Sequence, residues 1–517
     1  MFQKRHGLAD PPVGNPVEPH GVSDAGVTLQ ACVHWKACAA AVLLILAAVL
    51  PFLNSLHGPW LLDDVPLITR NPMVRETEQW GRLWTTDYWA VTGAPSGLYR
   101  PLTMSTYALT WAVAGQQTFV YHLTNVLLHG AVTLLVWRVG MGGRTTASAV
   151  LAAAVFALHP VHVEAVANVV GRAELLVAFF FLLALAARRR ATAMAGEGRA
   201  GRAAVWSVAF GVSVLAMLLS KESGVPLLGY FVLEDLAKRR AARREGGCPA
   251  WRVMAVGWAV LVVSAGLYAV LRLNAVPRLP ALARSLPPAE HFLLSASAAA
   301  RNAQLLLALG GHRAVWAVPD LNEIPAAMTA AGVVVMGLLA GGMVWAVRRG
   351  TPATLGAGLL SLSLIPLLHP VPNVIWVWER GLYVPSIGLV WMVFGGLERL
   401  RERGALPRRA VVALALCLVI GPGWRTARWS ALYASPLRFW EHEYLSDPDS
   451  VNAAISYSEV LQKAGRTTEA IEVREEAVRR HPESGFARSA LISAYASAGR
   501  TEDARRAVIE AARASLS

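Results

Sequence analysis

Charge is scarce in this chain of 517 residues: 16% are Asp, Glu, Lys or Arg, against about a quarter in an ordinary soluble protein. That shortage argues against one large water-soluble enzyme. The 55% share of hydrophobic residues argues against disorder, because a disordered chain lacks the apolar surface to bury. Cysteine is sparse too. Cys32, Cys38, Cys248 and Cys417 are too few and too scattered for a disulfide framework or a metal cluster. The first 30 residues hold no apolar signal-peptide core, so residues 1–36 read as a flexible tail. Acidic charge is the scarcer sign, 34 Asp and Glu against 48 Lys and Arg, a net of +14. In a soluble protein that surplus suggests nucleic acid; in a membrane protein it records which loops face the cytoplasm.

What is plentiful is long apolar runs. A helix that crosses a bilayer needs about 20 mostly apolar residues, somewhat fewer where flanking residues adapt. Such runs occur near 37–56, 121–138, 145–159, 170–187, 204–220, 223–237, 251–271, 326–347, 352–368, 381–398 and 409–424, giving about 11 transmembrane helices. Two further segments, 102–115 and 291–311, are expected to lie against the membrane, the first because it is short and the second because it carries Arg301, Asn302 and Gln304.

The arginines test this topology. With the N-terminus inside, the cytoplasmic loops hold 20 Lys/Arg in 50 residues and the opposite loops hold 12 in 150. The positive-inside rule predicts that asymmetry. The expected fold is therefore an all-α polytopic membrane domain over 37–435, with a first outer loop at 57–120. Nucleic acid is not an expected partner.

After Trp424 hydropathy collapses, and residues 436–517 carry 13 acidic against 11 basic groups. Gly465-Arg466-Thr467 recurs 34 residues later as Gly499-Arg500-Thr501, Ala470 as Ala504, Ala477 as Ala511, and Pro448 as Pro482. Small residues at those offsets let paired helices pack closely, which is the tetratricopeptide (TPR) pattern. A short TPR α-solenoid on the non-cytoplasmic side is expected.

Ionisable residues at a membrane surface are costly and each asks for a reason. The first outer loop opens Leu61-Leu62-Asp63-Asp64, followed by Asn71-Pro72, and ends Tyr99-Arg100-Pro101-Leu102. Adjacent carboxylates can supply a general base or bind a divalent metal; in isolation they are more often a helix cap or an exposed turn. His122, Asn125 and His129 share one helix face and read as helix–helix hydrogen bonding. His159-Pro160-Val161-His162-Val163-Glu164, Gly171-Arg172-Ala173-Glu174, Lys221-Glu222 and Glu379-Arg380 complete the outer set. The imidazoles lack a matching third ligand for zinc. Carboxylates, guanidinium groups and imidazoles collected at one membrane surface suit transfer from a lipid-linked phosphate donor: the acceptor hydroxyl needs a base and the leaving phosphate needs cations.

In this order, those motifs with Glu379-Arg380-Gly381-Leu382-Tyr383-Val384-Pro385-Ser386 and the C-terminal repeats resemble the transmembrane and TPR-repeat-containing glycosyltransferases of the GT-C superfamily. The better-known members of that family are O-mannosyltransferases that use dolichyl-phosphate-mannose on the lumenal side of the endoplasmic reticulum. The resemblance runs from about residue 40 to the end. This chain departs in having few repeats, and its Ala/Arg/Gly-rich composition is of a bacterial kind.

The resemblance implies a GT-C fold and a hexosyltransferase that moves a mannose-like sugar from a polyprenyl-phosphate donor to a hydroxyl. The acceptor would be protein Ser/Thr captured by the repeats, and the anomeric carbon would invert. It implies Asp63 as catalytic base with Asp64 positioning it or the acceptor, although the sequence does not rank the two. Arg172, Lys221 and Arg380 would hold the donor phosphate, and Arg100, His159, His162, Glu164, Glu222 and Glu379 would shape the site. No cofactor and no metal are implied. The setting would be a bacterial inner membrane, with the N-terminus cytoplasmic and the repeats periplasmic.

Two rivals remain: a GT-C transferase acting on an envelope glycan or glycolipid, and a non-catalytic membrane-anchored TPR scaffold. A transporter would place its polar residues at mid-span; here they gather at the outer ends.

Overall fold

The computed structural model describes residues 24–93, 96–140, 147–244, 251–276, 286–308, 311–314, 316, 319, 324–368 and 376–514. Cys248, the side chain of Cys32 and residues 1–23 of the expected tail lie outside the described residues. Packing divides the chain into two units, 1–42 and 43–517, with the boundary inside α1 (Asp24–Val49). α1 starts at Asp24, so helix reaches back into the segment read as a flexible tail. The described residues form helices and turns, with no strand among them.

Eight helices among the described residues are long and apolar enough to cross a membrane. They are α1, α3 (Thr118–Val139), α5 (Arg172–Gly196), α6 (Ala200–Ser220), α8 (Trp251–Ala275), α10 (Ala326–Arg349), α12 (Tyr383–Glu402) and α13 (Arg408–Ser430). A ninth is possible in a bent pair: α4 (Ala147–Ala157) breaks at His159-Pro160 and resumes at an angle of 51°. Proline there cannot continue the backbone ladder. The chain is a multi-pass membrane protein by this measure, but with fewer full-length spans than 11. The other two expected spans are shorter: α7 (Leu228–Arg244), which carries Glu234 and Asp235, and an apolar helix over Pro352–Leu368 that opens with α11 (Pro352–Leu364).

Both short helices nonetheless run between the same two polar ends of the bundle. At one end Arg188 of α5 pairs with Asp235, and Arg189 bonds Glu234 at 2.9 Å. At the other end Arg172 begins α5, about 24 Å away at ~1.5 Å per residue, and Lys221-Glu222 precedes α7. α11 starts where Gly350 lies against Ala237, and its continuation ends with Leu367 packed on Gly381 and accepting from Asn302. The two segments expected to lie against the membrane are α2 (Pro101–Ala114) and α9 (Pro288–Leu306). The hydroxyl of Thr103 in α2 donates to Ser220 O at 2.8 Å, and that of Tyr107 reaches Val169 O at 3.5 Å, so α2 lies across the ends of α5 and α6.

Beyond α13, α14 (Pro436–Ser446) leads into two helix pairs, α15 (Val451–Lys463) with α16 (Thr467–Arg480) and α17 (Gly485–Ser497) with α18 (Thr501–Ala514). The pairs start 34 residues apart, as the sequence period requires. Gly465 and Gly499 turn each pair at φ of 78° and 72°, a backbone region that costs any residue with a Cβ. Ala454, Ala477 and Ala487 form one of the small cores between the helices.

Candidate functional site

The polar end nearest Arg172 collects the candidate residues, and the first loop supplies its acids. Gly58 turns that loop where a side chain has no room: a Cβ would stand 2.6 Å from Tyr433 O. Leu62 then takes a left-handed backbone, φ 50°, rare for a branched side chain. After that turn the two neighbouring carboxylates part company. Asp64 is 1% exposed; it accepts the Leu61 N–H at 3.1 Å and the Val170 N–H at 3.0 Å. Burial pushes its carboxyl up to about 7, against the pull of those two N–H groups. The Asp63 side chain keeps 34% of its surface exposed and meets Arg380 Nη2 at 3.3 Å.

Arg380 connects Asp63 to the bent segment. Its backbone N–H donates to Glu164 at 2.8 Å, and its Nε lies 3.6 Å from the same carboxylate. Beside it Lys221 pairs with Glu174, which also accepts from Ser223 at 3.2 Å. Burial lowers the Lys221 ammonium; Glu174 opposes that, and Arg100 and Arg380 reinforce it. Arg100 donates to Glu222 at 2.8 Å and stacks 4.6 Å over the Tyr88 ring, while Glu222 also accepts the Tyr99 N–H at 2.7 Å. Asp63, Glu164, Glu222, Arg100, Lys221 and Arg380 thus gather in one largely buried charged cluster, coupled through Glu174, which the sequence placed in the outer set without a role, and Tyr88, which it did not single out.

Arg172, expected to hold the donor phosphate, stands apart from those residues. It is 1% exposed, and its donors are taken by Asn125 at 2.9 Å, Thr110 at 3.1 Å and Tyr121 O at 3.2 Å. It ties α2, α3 and α5 together. Gly171 before it has no room for a Cβ against the Ala165 carbonyl, which fixes this corner.

The imidazoles are buried and hydrogen-bonded within the fold. His159 reaches Leu306 O at 2.9 Å and His162 the Ser386 hydroxyl at 2.8 Å. His129 bonds the Tyr383 hydroxyl at 2.7 Å and Ala157 O at 3.1 Å, and His122 reaches Gly58 O at 3.2 Å. Asn125 and His129 tie helices together, as their spacing suggests, whereas His122 ties its helix to the first loop. Among the described residues no three His, Cys, Asp or Glu are grouped to hold a metal ion.

Glu379 points away from the charged cluster. It accepts from His312 Nδ1 at 2.6 Å, from the Arg313 N–H at 2.7 Å and from Trp316 at 3.0 Å. The same segment is held from the other side by α14 and the residue after it: Ala314 N–H donates to Glu443 at 3.0 Å, and Arg313 bridges to Asp447 at 3.1 Å. His312-Arg313 lay unremarked in an outer loop, where its residue types were the only available signal.

With this geometry in place, the chain can be set beside known proteins. No protein-family model matches it. Curated relatives do. It is 26% identical, over 86% of its length, to human "Protein O-mannosyl-transferase TMTC1", of which it spans 55%. It is 27% identical over 71% of its length to human TMTC3, and 34% identical over 36% to mouse TMTC2, both also named protein O-mannosyl-transferases. The chain spans about half or less of the length of the relatives it matches. Among solved structures it superposes on an archaeal oligosaccharyltransferase from Archaeoglobus fulgidus over 84% of this chain and 59% of that one, at 14% identity and a TM-score of 0.43. The homologues of this chain are the TMTC protein O-mannosyl-transferases.

Proposed function

We propose that this chain is a membrane glycosyltransferase that moves a mannose-like sugar from a polyprenyl-phosphate donor to a protein Ser or Thr hydroxyl. The observation that carries this reading is the Asp63–Arg380 pair: a part-exposed carboxylate held 3.3 Å from a partly exposed guanidinium at the charged end of an apolar bundle. The TMTC relatives support the class of reaction.

Asp63 takes the proton from the acceptor hydroxyl. The hydroxyl oxygen bonds to the anomeric carbon, the bond from that carbon to the phosphate oxygen breaks, and its electron pair leaves on the lipid phosphate. Attack opposite the leaving group inverts the centre. Arg380 and Lys221 receive the charge that develops on the phosphate, and their low-dielectric surroundings strengthen the interaction. Glu164 and Glu174 orient these two cations, and Arg100 with Glu222 closes the side toward Tyr88. Asp64 is the positioning residue, fixing the loop through two backbone N–H groups. The charged cluster faces the non-cytoplasmic side, with the arginine-rich end inside.

The test is transfer by purified full-length protein, given a panel of polyprenyl-phosphate sugars and membrane-protein extract and read by mass spectrometry. Sugar on Ser or Thr peptides is expected, and Asp63→Asn should cost about 10²–10⁴-fold in rate. Sugar appearing only on glycolipid would move the acceptor to the envelope. Transfer that survives Asp63→Asn, or no transfer from any lipid-linked donor, would overturn the reading.

A further inference from the structure

A groove of about 450 Å³ lies between the first loop and the repeat helices. Trp60, Leu61, Leu62 and Val65 form one wall, bracketing Asp63 in sequence. The opposite wall is built from α14 and α15, with Leu437 and Trp440 on one and Ser456, Glu459, Val460 and Lys463 on the other. The α15 residues follow a three-and-four spacing, so they form a single face of that helix. We propose that this groove is the acceptor-peptide site: an extended polypeptide lies between the α15 face and the Leu61-Leu62 turn, and its hydroxyl residue reaches Asp63 at the loop.

This rests on the transferase reading above, and three observations specify the occupant. Both walls belong to segments outside the apolar spans, which argues against a lipid chain. Leu61, Leu62, Val65, Leu437 and Val460 line most of the groove's length, with the two tryptophans beside them, a set of aliphatic walls suited to peptide side chains. Glu459 and Lys463 are exposed, and neither joins an ion pair among the described residues, so opposite charges stand ready on one face for a charged peptide. The groove adjoins the reacting end: Leu62, in its left-handed turn, is a wall residue and the immediate neighbour of Asp63 in the chain. The distal pair α17–α18 contributes no wall residue, so recognition near the reaction centre falls to the first repeat.

The experiment uses the full-length protein in vesicles with a lipid-linked donor. Transfer is measured to a Ser/Thr-containing protein acceptor and, separately, to a short hydroxyl compound too small to fill the groove. The double charge reversal Glu459→Lys/Lys463→Glu touches exposed positions only. It should raise KM for the protein acceptor by about tenfold, equivalent to ~1.4 kcal/mol, with small-acceptor transfer within about twofold of wild type. Ser456→Trp, which fills the groove without deleting core, should do the same. A photo-crosslinker at Ala464 should capture the protein acceptor. Unchanged KM in both variants with no crosslink would overturn the proposal while wild-type transfer and its loss in Asp63→Asn left the transferase reading standing. If the small compound and the protein are affected alike, the groove is not an acceptor site.

Discussion

At the scale of single residues, the adjacent acids Asp63 and Asp64 show how position in the fold divides two identical groups. Within the Leu61–Asp64 stretch the Leu61 N–H bonds Asp64, and the Val170 N–H, 106 residues further on, completes its capture. The pH dependence follows. The folded-state value of about 7 lies above the unfolded value of 3.8. Folding stability from this group is therefore full below pH 4 and falls as pH rises through 7, by roughly 4 kcal/mol at most. Asp64→Asn removes that slope but gives up one of the two acceptors, for ~1–2 kcal/mol at low pH. Unfolding midpoints from pH 4 to 8 should show the variant gaining on wild type as pH rises; a constant difference would mean Asp64 stays ionised. Leu62 offers a second test. Its left-handed turn costs about 1–2 kcal/mol, so Leu62→Gly should hold or raise stability while slowing transfer, because the groove wall and the aim of Asp63 both loosen. A stable variant with full transfer would remove the turn from the site's design.

At the scale of elements, the sequence periods were legible and their lengths less so. The 34-residue recurrence sets every boundary of the helix pairs α15–α18, because small residues and turn glycines act locally. Span number was harder to read. α7 carries Glu234 and Asp235, which pair with arginines on α5, and ends in a basic run, so neither hydropathy nor length marks it as a full span. The surroundings of Arg172 were illegible for a related reason: Thr106, Thr110, Tyr121 and Asn125, which use its donors, arrive from two other helices. Arg474 in α16 repeats the device in the repeats, bonding Ser458 at 2.7 Å, Ala490 O at 3.1 Å and Gln462 at 3.2 Å. Arg474→Met strands those partners and should destabilise the repeats by about 2–4 kcal/mol, seen as faster limited proteolysis after Pro436. The exposed Arg505→Met should leave the rate unchanged, within ~0.5 kcal/mol.

At the scale of the whole molecule, the segment 312–314 couples two bodies that differ in every compositional respect. Glu379, next to Arg380, grips it from the bundle, and Glu443 of α14 with Asp447 just after that helix grips it from the repeats. Removing residues 436–517 should therefore impair transfer even to an acceptor too small for the groove, unlike the charge reversal on α15. A truncated chain with wild-type small-acceptor kinetics would refute the coupling. The clamp also bears on how such a protein can change by descent. Duplication at the far end of the stack can lengthen it without disturbing any partner of Glu379, so repeat number is free to drift. α14 enjoys no such freedom, because a replacement must bring an acid to each of two fixed places. Chimeras that exchange the repeats should work when the cut falls after Asp447 and fail when it falls before α14.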